Sequence, residues 1–244
     1  FENAQALLTE LIAPGGLTAR GVYGLFKASS DGDDLILERP DTGTPVRLSM
    51  LRQQRQKEGV EQHNLSLADF VAPKSSGVSD TIGAFAVTTG LGVSEWVSRF
   101  ESEDDDYSAI LVKALADRLA EAFAEFIHLT ARRAWYAPNE TLSTEDLHRE
   151  RYRGIRPAPG YPACPDHTLK RTIFELLNAP SLGMHLTEHC AITPAASVSG
   201  LLFGSPKARY FTIGPIGRDQ VEDYASRSGQ SVTESERWLA PNLA

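Results

Sequence analysis

The sequence predicts an α+β fold built on antiparallel strands, and three observations carry that expectation. Five strand candidates lie together between residues 22 and 88, joined by short turns, whereas parallel pairs need crossovers of a dozen or more residues. Helical patterns then follow as a block instead of alternating with strands. Of the 244 residues, 41% are hydrophobic and 23% charged. That is ordinary globular composition, long enough for one large domain or two small ones.

Taken in order, residues 4–12 place Leu7, Leu8, Leu11 and Ile12 on one side of a short helix. Pro14-Gly15-Gly16 ends it, because proline cannot continue the hydrogen-bond ladder and glycine favours the turn. Strands at 22–27 and 35–38 flank the polar turn 29–34, and a third, 45–48, follows Asp41-Thr42-Gly43. Residues 67–71 and 82–88 complete the five, separated by a polar loop at 73–80. The clearest helix is 107–129, where Leu111, Leu115, Leu119, Ala122, Phe126 and Ile127 recur at helical spacing as the expected buried face. Its other side carries Lys113, Asp117, Arg118, Glu121 and Glu125. Helices are also expected at 143–151, capped by Ser143 with Asp146 three residues on, at 169–177 and at 218–228, with strands returning at 197–203 and 210–216.

Charge and length exclude some functions. Lys and Arg number 24 against 32 Asp and Glu, a net charge of −8. A sequence-independent nucleic-acid binder needs the opposite balance, although a local basic patch would escape this argument. No run approaches the roughly 20 apolar residues of a membrane span. The start, Phe1-Glu2-Asn3-Ala4, lacks the basic and apolar regions of a signal peptide. It also lacks a Met, so the chain reads as beginning inside a longer protein. Cys164 and Cys190 make no disulfide framework, which fits a reducing, cytoplasmic setting.

Several motifs have bland readings. Gly90-Leu91-Gly92 follows a strand, but Glu95 stands where a dinucleotide loop needs its third glycine; an ordinary strand-to-helix turn is expected. His185-Leu186-Thr187-Glu188-His189 matches a zinc-hydrolase pattern that needs both histidines on one long helix. Gly183 and Pro194 leave little room for that helix, and surface histidines are the default. Asp104-Asp105-Asp106 suits the positive end of the following helix dipole. Glu121, beside small and apolar residues, either pairs with an arginine or faces a cationic ligand, and helical geometry favours pairing.

The most informative stretch is 156–167, with four prolines in twelve residues. Proline denies it a helix or a central strand, leaving a rigid loop whose polar main-chain groups no ladder consumes. Such a loop suits a polar small molecule, with Arg156 gripping a carboxylate; a structural crossover on which Tyr161 merely packs explains the residues equally well.

This loop resembles the C-terminal activation (reactivation) domain of cobalamin-dependent methionine synthase. The likeness extends over Leu51-Arg52-Gln53-Gln54, Leu67-Ala68-Asp69-Phe70-Val71, Ile82-Gly83-Ala84-Phe85-Ala86-Val87, residues 112–125, Gly154-Ile155-Arg156-Pro157-Ala158-Pro159-Gly160-Tyr161, Ala196-Ser197-Val198-Ser199-Gly200 and Glu236-Arg237-Trp238-Leu239-Ala240-Pro241. Nearly the whole chain is covered in order. The resemblance implies one C-shaped domain over 1–244 with a bent antiparallel sheet flanked by helices. It implies a part in a methyltransferase of methionine biosynthesis: binding S-adenosylmethionine and supporting reductive methylation of inactive cob(II)alamin. The resemblance implies that Arg156 holds the ligand's carboxylate, Ala158 offers main-chain contacts, Tyr210 and Phe211 form a second contact, and Glu121 lies near the ligand. Asp117, Arg118, Gly160, Tyr161 and His167 would face the corrin. The implied partners are a cobalamin-binding domain of the same enzyme and a flavodoxin or flavoprotein reductase as electron donor. No catalytic triad is expected, since methyl transfer to a reduced cobalt nucleophile needs alignment and no general base. The family's zinc belongs to an absent homocysteine domain, so no metal is expected here. The family's ligand-gripping aspartate precedes the first residue of this chain, which leads to the expectation that the N-terminal part of the domain is missing. A ligand-silent docking module for a cobalamin domain and flavodoxin is the alternative.

Overall fold

In the computed structural model, which describes residues 2–55 and 63–244, the elements run in chain order as follows. Helix α1 (Glu2–Ile12) precedes strands β1 (Thr18–Asp31), β2 (Asp34–Glu38), β3 (Pro45–Ser49) and β4 (Asp80–Leu91). Then come α2 (Val93–Ser102), α3 (Asp106–Trp135), α4 (Thr144–His148) and α5 (Leu169–Leu177). A short ribbon, β5 (His185–Leu186) and β6 (Ile192–Thr193), leads to β7 (Ser197–Leu202), α6 (Arg218–Ser228) and α7 (Val232–Trp238). Phe1, part of the start that lacks signal-peptide character, lies outside the described residues.

The main sheet has the order β3-β2-β1-β4-β7, and all four pairings are antiparallel. The β1–β2 hairpin closes on Gly32-Asp33, with Asp31 opposite Asp34. Gly32 takes φ 61°, the left-handed conformation a two-residue hairpin turn demands. Strand β4 is buried on both faces because successive side chains point opposite ways. Ile82, Ala84 and Ala86 join Leu35, Leu37 and Phe174 in the larger core. Phe85 and Val87 face Ala124, Ile127 and Ala131 of α3. The sheet therefore lies between α5 and α3, and the apolar run 82–87 reads as continuous because neither face meets water.

Helix α3 corrects the expected buried face. Its seam is Ala109, Val112, Ala116, Ala120, Ala124, Ile127 and Ala131, while Phe126 is 58% exposed. Small side chains let the helix sit close against β4 and β7. Leu111 and Leu115 pack instead with Leu7, Leu11, Val97 and Phe100 of α1 and α2. Asp105 caps α3, accepting from the Ser108 N–H at 2.9 Å.

Two strand expectations fail. Residues 67–71 form a 3-10 turn, Leu67–Phe70, because Ser66 and Asp69 make a reciprocal capping box. Residues 210–216 form no strand: they run along no sheet edge, and meet the proline loop at Ile213 and the C-terminal segment by one bridge from Ile216 to Leu243. The helix expected at 143–151 is only α4, and α7 was not anticipated. Gly90-Leu91-Gly92 is the ordinary strand-to-helix turn expected, with Gly92 in the left-handed region ahead of α2.

Candidate functional site

The proline loop starts alongside β7 and its end, and is pinned more tightly than its composition suggests. Ile155 exchanges both main-chain hydrogen bonds with Phe203. Pro157 O accepts from Leu201 N–H at 2.9 Å and Pro162 O from Ile213 N–H at 2.8 Å. Tyr161 O accepts from Cys164 N–H and Cys164 O from Gly160 N–H. These main-chain groups are thus consumed, contrary to the expectation of a loop with free ones. The pinning holds residues 156–162 as a fixed wall beside α3.

Two adjacent clefts open on this wall. The first, of about 450 Å³, is bordered by Arg156, Ala158, Tyr210, Phe211 and Glu121, over a floor that includes Phe85 and Val198. The second, of about 540 Å³, is bordered by Asp117, Arg118, His167 and Lys170. Glu121, Ala158, Tyr161 and Val198 border both. The residues named from sequence as ligand contacts thus gather in one cleft; of those expected to face the corrin, Asp117, Arg118, Tyr161 and His167 line its neighbour, and Gly160 does not. Gly160 stands behind His167 with φ 97°; a Cβ there would come within 2.1 Å of the His167 ring. Only glycine lets the ring lie flat against the loop.

Arg156 sits in a network that sequence reasoning missed. Its Nη1 lies 2.6 Å from Glu125 Oε2 and its Nη2 3.3 Å from Glu150 Oε1. Nη1 also donates to the Tyr152 hydroxyl, which donates in turn to Glu125 Oε2 at 2.8 Å. Its main-chain N–H donates to the Tyr210 hydroxyl at 3.1 Å. Burial works to lower the Arg156 value, and electrostatic interaction with the Tyr152 and Tyr210 hydroxyls and the Glu125 and Glu150 carboxylates outweighs it and raises it. Behind these, the fully buried Arg132 reaches Glu140 at 2.9 Å and Glu125 at 3.6 Å and stacks 3.7 Å over the Tyr152 ring. His128 packs edge-on to Tyr152. Burial first, then the Arg132 and Arg156 charges, hold its ring down to about 2.

The expected arginine partner for Glu121 is not there. Glu121 is exposed and makes no ion pair among the described residues; that role falls to Glu125, one turn further on. The available signal was the i, i+4 spacing of two acids on one helix, but nothing local says which one turns inward. The metal pattern also loses its premise: His185 lies on β5, while Glu188 and His189 occupy the exposed turn before β6. No helix carries the two histidines.

The fold and clefts define an α+β protein with two adjoining clefts, the first of which has the size and charged rim to hold a polar small molecule. Comparison with known proteins gives the family. The vitamin B12 dependent methionine synthase activation domain matches residues 1–229. A crystal structure of the MetH reactivation domain bound to AdoHcy superposes with a TM-score of 0.95 at 56% identity, covering 100% of this chain and 76% of that one. The chain belongs to the activation-domain family of vitamin B12 dependent methionine synthases. Among the described residues no helix is long and apolar enough to cross a membrane.

Proposed function

We propose that residues 1–244 form one domain that binds S-adenosylmethionine in the first cleft and presents it to a cobalamin domain docked over the second. The observation that supports this best is the shared wall: the two clefts meet at Glu121, Ala158, Tyr161 and Val198. A volume of about 450 Å³ suits a ligand of this size, and an arginine and an acid stand at the rim for a molecule carrying both charges. Arg156 would grip the carboxylate through a bidentate fork, the Ala158 main chain would orient the ligand, and Tyr210 and Phe211 would cover it. Glu121 would offset the sulfonium charge. Asp117, Arg118, Gly160, Tyr161 and His167 would receive the corrin edge.

Cobalamin, carried on a separate domain, supplies the cobalt centre that takes the methyl group. The chain's own residues hold the sulfonium methyl in line and exclude water, a contribution made by alignment. S-adenosylmethionine gives up its methyl cation and leaves as S-adenosylhomocysteine, and one electron from a flavodoxin or flavoprotein reductase completes the balance. The whole enzyme would be a methyltransferase of methionine biosynthesis. The two buried, unpaired cysteines are in keeping with a cytoplasmic setting.

The test is a calorimetric titration of S-adenosylmethionine into the 244-residue chain. Arg156→Ala alone would strand Glu125, so the comparison uses Arg156→Ala combined with Glu125→Gln, with Glu125→Gln as control. Losing charged hydrogen bonds worth ~1.5–3 kcal/mol should weaken binding by about ten- to a hundredfold. Unchanged affinity would remove Arg156 from the site. If neither this chain nor one extended at its N-terminus takes up ligand, the ligand-silent docking module is the better reading.

A further inference from the structure

The second cleft holds a buried cation that none of the roles above uses. Lys170, in the first turn of α5, is only 9% exposed and borders the cleft. Its Nζ lies 2.8 Å from His167 Nδ1 and donates to Cys190 O at 3.1 Å. An ammonium has three donors and no acceptor, so His167 Nδ1 must be the acceptor and the ring's proton must sit on Nε2. The hydrogen-bond partner of one ring nitrogen thereby sets the state of the other. Nε2 has no hydrogen-bond partner among the described residues, and the ring borders the cleft. Gly160 packs against the ring at Cε1, between the two nitrogens, where any Cβ would collide with it.

We propose that Lys170 is a positioning residue for His167, holding it as a neutral imidazole whose Nε2–H is offered to a hydrogen-bond acceptor on the docked partner. The inference rests on the docking role given to this cleft above and extends it. An acceptor is the required chemistry because a neutral, Nε2-protonated ring presents a donor and nothing else on that side. The carboxamide oxygens along a corrin edge have that chemistry.

The surrounding charges agree. Burial and then the Lys170 charge lower the His167 value, while Asp166 on the same loop opposes them. Asp166 is itself occupied by Thr168 and Tyr224. From α3, Asp117 and Arg118 border the cleft with opposite charges, and Cys164 and Cys190 are buried nearby. His167 therefore resists protonation as the pH falls through the ordinary histidine range.

Long-range proton–nitrogen spectra of the histidine-labelled 244-residue chain test the assignment directly. The expected spectrum shows His167 as the neutral Nε2–H tautomer at pH 7. Lys170→Met should give mixed tautomers and a more ordinary titration, while Lys170→Gln, which keeps an N–H donor, should restore the tautomer. If Lys170→Met fails to fold, Lys170→Gln and the unmodified chain still decide. An Nδ1–H tautomer or a charged ring in the unmodified chain at pH 7, or a spectrum indifferent to Lys170, would overturn the proposal. Docking of the isolated cobalamin domain separates the two claims. Lys170→Met and His167→Ala should each weaken it about five- to tenfold, with no further loss in the double variant. If His167→Ala leaves docking unchanged while the tautomer is as expected, the reading of the cleft as a docking surface is what fails.

Discussion

Glu121 and Glu125 sit one turn apart on the same helix, yet they do opposite things. Glu121 is exposed, unpaired among the described residues, and borders both clefts. Glu125 is largely buried and answers Arg156, Tyr152 and Arg132 at once. The first is a free charge at a mouth; the second is structural material behind the arginine. A site of this kind needs both: an acid free to meet a ligand, and an acid spent on holding the residue that meets it. If Arg156 grips the ligand as proposed, then without Glu125 and Tyr152 its side chain would lose rotamer freedom only on binding, and would bind more weakly.

The harshest way to break the comparison is to attack the structural side. Arg132→Met removes a fully buried guanidinium and leaves Glu125 and Glu140 without it. Breaking a buried pair costs roughly 3–5 kcal/mol, so a thermal melt should fall by on the order of 10 °C for a chain of this size. Glu121→Ala should leave the same melt within experimental scatter, as exposed unpaired positions do. A small shift for Arg132→Met would mean that the network is not what holds Arg156.

A gentler probe is acid. His128 beside this network has a folded value near 2 against an unfolded value near 6.5. Between those values the unfolded chain binds a proton that the folded chain refuses, so stability falls as pH drops below about 6.5. The slope from this group is about 1.4 kcal/mol per pH unit. His128→Phe, which keeps an aromatic ring against Tyr152, should flatten that limb in chemical denaturation between pH 6.5 and 4.5. An equally steep limb in the variant would place the acid sensitivity elsewhere.

How much of this was legible follows from the range of each cause. The strand pair at 22–38 and the cap at Ser143 depend on neighbours in sequence and were readable. Strand 67–71 was misread because an apolar run does not reveal the Ser66–Asp69 capping box that closes it into a turn. The buried face of α3 was misread because leucines outweigh alanines on any hydropathy count, whereas close approach to a sheet favours the alanines. The proline loop and Arg156 stood out through composition alone, and family resemblance named their neighbours. What stayed hidden was the partnering: Glu125, Arg132 and His128 lie on α3, and Tyr152 arrives from 20 or more residues further along the chain. Lys170 hid for a related reason: the Cys190 carbonyl that it meets arrives from twenty residues further along the chain.

The smallest effect sharpens the comparison most. If Glu121 is the free acid at the ligand cleft, Glu121→Gln should weaken S-adenosylmethionine by no more than about fivefold, the scale of an exposed ion pair. The loss should shrink as salt is raised, because exposed charges are screened. S-adenosylhomocysteine keeps the ammonium and carboxylate but lacks the sulfonium charge. A loss confined to S-adenosylmethionine would therefore place Glu121 at the sulfonium, and an equal loss for both would place it at the ammonium. If calorimetry shows neither affinity moving, the charge at the mouth does not meet the ligand, and Glu121 differs from Glu125 only in being solvated.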